Sequence, residues 1–189
     1  MSKSLIKLID TAIIPAAIMI LGKVAGLCFA NTVFNLNWGI TSDPNNFFSV
    51  NIQYATLAEQ ITATSYSNLI MYLFVFIGFL VILLRALYFN SSHISPSLVA
   101  KLATNNLLNL ITDSFEIYKK ASVWLVILWL ALFALLINVI IGKAYPWTGI
   151  LCIMCTFITT TVLLKDVSRE ISIARKSLNK LPDDNLKTS

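Results

Sequence analysis

The sequence predicts an all-α integral membrane protein with four transmembrane helices. Hydrophobic residues make up 57% of the 189 residues and charged residues 12%, whereas soluble proteins average about 45–50% and about 25%. The hydrophobic residues are concentrated in four stretches, each close to the ~20 residues that a helix needs to cross the hydrocarbon core. A soluble protein of this length has too few interior positions for so much apolar surface. A soluble globular enzyme is therefore excluded.

The four apolar stretches give the predicted spans. Only helices and closed barrels satisfy their backbone hydrogen bonds in lipid, and no stretch alternates apolar and polar residues as barrel strands do. We therefore expect helices at about 11–34, 66–89, 121–142 and 146–164.

Lysine and arginine residues predict that both chain ends lie in the cytoplasm. The N-terminal segment, residues 85–120 and the C-terminal tail hold twelve of these residues, whereas the other two connections hold only Lys143. Because basic segments stay on the cytoplasmic side, we expect an N-in/C-in protein of the plasma (cytoplasmic) membrane. The net charge of +5 then reflects topology and attraction to anionic lipids on the cytoplasmic side. Nucleic acid is not an expected partner.

This orientation makes residues 35–65 an extracytoplasmic loop. Within this loop, residues 50–64 are expected to form a short helix on the membrane surface. The last residues, 182–189, follow Pro182 and are expected to be a flexible tail.

The segments that flank spans 3 and 4 are predicted to form an antiparallel helical hairpin in the cytoplasm. The segment 95–120 begins with Ser95-Pro96, a helix-start signal, and 165–181 contains neither Gly nor Pro. Apolar residues recur in both at spacings of three and four, the pattern of a coiled coil. The expected seam pairs are Leu108 with Leu181, Ile111 with Leu178, Phe115 with Ala174, and Tyr118 with Ile171. Alternatively, 97–118 lies flat on the membrane as an amphipathic helix.

Lys23 is the charged residue inside the first span and a candidate functional residue, because a lysine at mid-bilayer costs about 2.5–3.5 kcal/mol. It lies next to the row Gly22, Gly26 and Ala30, whose small side chains permit close helix packing. We expect Lys23 to pair with Asn138 of the third span or with a carboxylate of a partner subunit. Alternatively, its side chain extends to the membrane surface.

Two cysteines lie one helical turn apart in the fourth span, at Cys152 and Cys155. The stretch Cys152-Ile153-Met154-Cys155-Thr156 resembles the active-site stretch of the vitamin K epoxide reductases, which are also four-helix membrane proteins. The resemblance implies a redox pair that faces a quinone. It covers only a few residues, and the loop 35–65 has no cysteine to match the shuttling cysteines of that family.

The sequence favours a non-enzymatic function, as a subunit or scaffold of a membrane complex. It has no GxSxG, HExxH or phosphate-loop motif, and the single histidine, His93, cannot supply a metal site of the usual ligand number. We therefore expect no catalytic residue, cofactor or metal, and expect the partners to be other membrane subunits or copies of the same chain. A second hypothesis is a small channel or transporter with a path lined by Lys23, Asn31, Asn138 and Thr159-Thr160-Thr161. A third is a thiol–quinone redox protein that uses Cys152 and Cys155.

Overall fold

The computed structural model describes residues 3–42, 50–88, 99 and 114–178. Within these ranges it contains four helices and two strands. The helices are α1 (Lys3–Val33), α2 (Leu57–Tyr88), α3 (Ser114–Ile140) and α4 (Pro146–Leu178), and the strands are β1 (Trp38–Ser42) and β2 (Val50–Tyr54). All four helices are long and apolar enough to cross a membrane. The prediction of four helices that are long and apolar enough to span a membrane is thus confirmed.

The start of α2 is fixed by a capping box and precedes the predicted start of the second span. The Glu59 backbone N–H donates to Thr56 Oγ1 over 3.2 Å, and the Thr56 N–H donates to Glu59 Oε2 over 3.1 Å. This reciprocal pair satisfies two backbone donors that the first turn of a helix leaves free.

The expectation of a short surface helix over 50–64 was wrong for residues 50–54, whereas 57–64 are helical as the first part of α2. Residues 50–54 form β2, which pairs antiparallel with β1 so that Trp38 faces Tyr54 and Ile40 faces Ile52. The reason is visible in the residue types, since Val50-Asn51-Ile52-Gln53-Tyr54 alternates apolar and polar residues with the period of a strand. The hairpin therefore joins the C-terminal end of α1 to the N-terminal end of α2.

A tight turn joins α3 to α4 and makes them antiparallel neighbours. Gly142 adopts a positive φ of 77°. Its N–H donates to the Val139 carbonyl over 3.0 Å, and the Lys143 N–H donates to the Asn138 carbonyl over 2.8 Å. These are the two bonds of a Schellman motif, which ends a helix most readily at glycine. The next helix, α4, begins at Pro146, and proline is well suited to the first helical position.

The second helix occupies the centre of the bundle and contacts each of the other three helices. Its buried face carries Tyr72, Val75 and Phe79, which belong to one core cluster with Leu128 of α3 and Cys152 of α4. The outward faces of the helices carry many large apolar side chains that the bundle leaves exposed. In a membrane these faces contact lipid.

The predicted cytoplasmic hairpin lies mostly outside the described residues. Of its eight seam positions, Leu108, Ile111 and Leu181 are outside, and Ala174 and Leu178 are described only as parts of α4. Phe115 is 79% exposed and Ile171 is 63% exposed, whereas Tyr118 is half-buried. The seam stays a prediction.

Candidate functional site

A close helix contact joins α1 to α2 at two glycines. A methyl group at Gly26 would lie 2.8 Å from both the Cα atom and the carbonyl oxygen of Ser67. A methyl group at Gly22 would lie 3.1 Å from the Met71 Cα atom. Ala30, the next residue of this row, is fully buried. The structure thus places Gly22 and Gly26 against α2, where only glycine allows the two backbones to approach this closely.

Beside this contact, Lys23 is held inside the bundle by a polar side chain of α2. Its Nζ atom donates a hydrogen bond to Asn68 Oδ1, and Ser67 Oγ donates to the Lys23 carbonyl over 3.2 Å. Asn68 is only 2% exposed, and Lys23 is half-buried. Lys23 lies close to Leu21, the midpoint of the apolar range 9–33. The ammonium group is thus bound near the middle of the span.

The expected pairing of Lys23 with Asn138 is wrong. Asn138 Nδ2 donates to the carbonyl of Ala134 on its own helix over 2.8 Å. The reason is the close approach of α1 to α2, since the position of Gly26 against Ser67 brings Lys23 and Asn68 to the same depth.

The site has donors in excess of acceptors. Asn68 Nδ2 is buried and has no hydrogen-bond partner within the described residues, and such a buried donor costs about 1–3 kcal/mol. In the same part of the chain, no carboxylate lies within 4.0 Å of Lys23 Nζ. An ammonium has three N–H donors, and the Asn68 oxygen takes only one of them. The positive charge is therefore met by a neutral amide alone.

A second polar cluster connects α2 to α4. The Tyr72 hydroxyl donates to the Cys152 carbonyl over 3.1 Å and lies 2.8 Å from Thr156 Oγ1. Toward the N-terminal ends of both helices, the Tyr145 N–H donates to Ser65 Oγ over 2.8 Å. These bonds satisfy hydroxyl groups that would otherwise be unpaired in an apolar interior. The cluster explains how two parallel helices stay in register.

The cysteine pair is unbridged, and its two members differ in environment. Cys152 is fully buried in the core, Cys155 is partly buried, and both are free thiols. The redox hypothesis for these residues stays a prediction.

The residues proposed to line a channel form hydrogen bonds elsewhere. The hydroxyls of Thr159, Thr160 and Thr161 donate to carbonyls of the preceding turn of α4, over 2.9, 2.7 and 2.8 Å. Asn31 Oδ1 accepts a bond from the Tyr54 hydroxyl over 3.2 Å. Among the described residues, these groups make no hydrogen bond to Lys23 or to one another.

A polar contact between α3 and α4 was missed by sequence reasoning. The Tyr118 hydroxyl donates to Asp166 Oδ2 over 2.7 Å, and Asp166 is 8% exposed. Tyr118 was predicted as a seam residue, but its bonded partner lies nearer the membrane span than Ile171. No group of three His, Cys, Asp or Glu residues that could hold a metal ion is present in the described ranges.

In comparisons with known proteins, no family model matches the chain, and no curated protein or solved structure matches it.

Proposed function

We propose that the protein is a non-enzymatic subunit or scaffold of a membrane complex. The observation that carries the proposal is the Lys23 ammonium near the middle of a span, which is half-buried and bonded to the neutral Asn68 amide. Insertion of a lysine at mid-bilayer costs about 2.5–3.5 kcal/mol of free energy. One neutral hydrogen bond between helices in a membrane stabilises them by only about 0.6 kcal/mol on average. A charge without a functional partner would be an unfavourable feature of this fold.

The chemistry of the missing partner follows from the charge. A carboxylate would neutralise the ammonium, and a charge-assisted hydrogen bond is roughly twice as strong as a neutral one. Lys23 lies at the edge of the α1–α2 contact, because Gly22 and Gly26 are buried whereas Ile20 and Val24 are exposed. A further helix packed at this edge reaches the ammonium. The expected partner is therefore a spanning helix, from another subunit, that carries Asp or Glu at the depth of Lys23.

We also propose that both chain ends lie in the cytoplasm and that a second binding surface lies there. The asymmetry of Lys and Arg supports an N-in/C-in arrangement in the plasma membrane, with anionic lipids on the cytoplasmic side. The hairpin formed by 95–120 and 165–181 would supply a second protein-binding surface, in the cytoplasm.

The proposal is tested with a defined partner helix. Two polyleucine peptides that span the bilayer, one with a central Glu and one with a central Gln, are labelled and mixed with the labelled protein in phosphatidylcholine vesicles. By energy transfer, we expect the Glu peptide to bind at least tenfold more tightly than the Gln peptide, and Lys23→Gln to remove this preference. Lys143→Gln, which changes a lysine in the α3–α4 turn, is the matched control and retains it. Equal binding of both peptides to the unmodified protein would contradict the proposed partner class.

The broader proposal has its own test. The protein is purified gently from its native membranes, and its mass and companions are determined. A stoichiometric foreign membrane subunit supports the scaffold role, and a lone monomer contradicts it.

A channel or transporter role is the second proposal, and the unpartnered Asn68 Nδ2 group beside Lys23 favours it. A buried donor next to an ammonium would bind a small anion. Liposome flux of chloride and acetate through the unmodified protein and Lys23→Ala tests this role. Flux that requires Lys23 supports it, and the absence of flux in both contradicts it.

A further inference from the structure

The β-hairpin is amphipathic. Its register places Trp38 opposite Tyr54 and Ile40 opposite Ile52, and because side chains alternate along a strand, these four residues share one face. Gly39 and Gln53 lie on the other face. Ile40 is 63% exposed, Trp38 is 49% exposed and Ile52 is 38% exposed. The hairpin thus presents an apolar face that the described part of the chain does not cover.

The hairpin is fixed at the end of the bundle, with this face turned toward the spans. The Ala55 N–H donates to the Asn37 carbonyl over 3.0 Å and closes the base of the hairpin. The Tyr54 hydroxyl donates to Asn31 Oδ1 over 3.2 Å, and Asn31 lies within the apolar range 9–33 of α1. Because Tyr54 reaches the spanning part of α1, the face that it shares with Trp38 and Ile40 is turned to the same side.

The bilayer is the surface that meets this face. Val33 and Phe34, which lie at the end of α1 a few residues before β1, are also exposed apolar side chains. Tryptophan and tyrosine favour the membrane–water interface, since their rings are apolar and their N–H or O–H groups are polar. Pairing between β1 and β2 satisfies the backbone N–H and C=O groups that face the neighbouring strand. The groups on the outer edges of the hairpin can form hydrogen bonds with hydrated lipid headgroups.

We propose that the hairpin formed by β1 and β2 lies on the bilayer, with Trp38, Ile40 and Ile52 inserted into the interfacial region of the lipid. It anchors the connection between α1 and α2 at a fixed depth. This inference is independent of the proposed function, since it needs no partner protein.

The test uses spin labels in the full-length chain, reconstituted in vesicles of phosphatidylcholine and phosphatidylglycerol. In a background in which Cys28, Cys152 and Cys155 are replaced by alanine, one cysteine is introduced by Ile40→Cys, and separately by Gln53→Cys as the control on the opposite face. Collision with oxygen reports contact with lipid, and collision with a water-soluble nickel complex reports contact with water. We expect the Ile40 label to be at least threefold more accessible to oxygen than to nickel, relative to the Gln53 label.

Each outcome decides the inference. An Ile40 label as accessible to nickel as the Gln53 label would overturn it, because the face would then point to water. Exclusion of both reagents from Ile40 would also overturn it, in favour of a covering protein or a second copy of the chain. Ile52→Cys provides an independent position on the apolar face and is expected to behave as Ile40 does. Circular dichroism of each labelled variant identifies any that fail to fold.

Discussion

The contact of Gly26 with α2 predicts that Gly26→Ala lowers the free energy of unfolding. In Gly26→Ala, the added methyl group would lie 2.8 Å from the Ser67 Cα atom and carbonyl oxygen. Ordinary contacts begin at 3.4 Å, so α1 has to withdraw from α2 by about 0.6 Å or more. Both opposing atoms belong to the backbone, and neither can rotate away. Strain of this kind costs typically about 1–3 kcal/mol.

A matched control removes the effect of helix propensity. Alanine is favoured over glycine in a helix interior by about 1 kcal/mol, and Gly149→Ala, near the start of α4, has a gain of the same sign. There the new methyl group would lie 3.2 Å from Leu136 Cδ2, the mobile end of a side chain. The difference between the two variants therefore isolates the strain at Gly26, and we expect Gly26→Ala to be the less stable by about 1–3 kcal/mol.

The assay is unfolding of the purified protein in mixed micelles of dodecyl maltoside and increasing dodecyl sulfate, followed by circular dichroism. Withdrawal of α1 also lengthens the hydrogen bond from Lys23 to Asn68, so Gly26→Ala and Lys23→Met should be less than additive. If Gly26→Ala proves as stable as Gly149→Ala, α1 does not pack on α2 as described, and the account of the Lys23 site fails with it.

Three further results are expected. Tyr72→Phe removes the hydroxyl that bridges to Thr156 and α4 and should lower the free energy of unfolding by about 0.5–1.5 kcal/mol; no change in the same micelle assay would show that the bond adds nothing. Burial raises the pKa of Tyr54 above its usual 10.0. Just above pH 10, the folded state therefore keeps the phenol proton that the unfolded state releases. The resulting stabilisation is complete below pH 10 and declines as the pH rises through the raised pKa, and the phenolate absorbance lost in Tyr54→Phe should titrate above pH 10. Gly78→Ala would place a methyl group 2.1 Å from the Trp124 ring and should destabilise the protein. Trp124→Leu should reduce this loss of stability, and the same micelle assay on the two single variants and the double variant measures the difference.

The four spans could be predicted from the sequence because span length and hydrophobicity are local properties. The start of α2 was not predicted, since the second span was expected to begin at 66, although Thr56-Leu57-Ala58-Glu59 is a capping-box sequence. The strand character of residues 50–54 was present as an alternation of apolar and polar residues. It was missed because pairing with β1 depends on a distant segment, and periodicity within five residues is weak evidence.

The sequence located Lys23 within the first span but did not identify the residue that it contacts. Its charge and its depth were evident, but its partner depends on which helix packs on α1 and in which register. Only the contact of Gly26 with Ser67 fixes that register and selects Asn68 over Asn138. Asp166 was overlooked for a related reason, because its burial depends on Tyr118 of α3, a tertiary contact.

The bond between Tyr72 and Thr156 has a consequence for biosynthesis. The two residues are 84 positions apart, and ribosomes add about 5–20 residues per second, so roughly 4–17 s pass between their syntheses. During that interval α2 can pack against α1, which precedes it, and then against α3, while its face toward α4 stays uncovered. Until then the Tyr72 hydroxyl, near the middle of α2 (Leu57–Tyr88), has no acceptor from α4, so a polar group of the membrane-insertion machinery or water has to satisfy it. The second helix thus packs against α1 early and completes its polar contacts only when α4 is made.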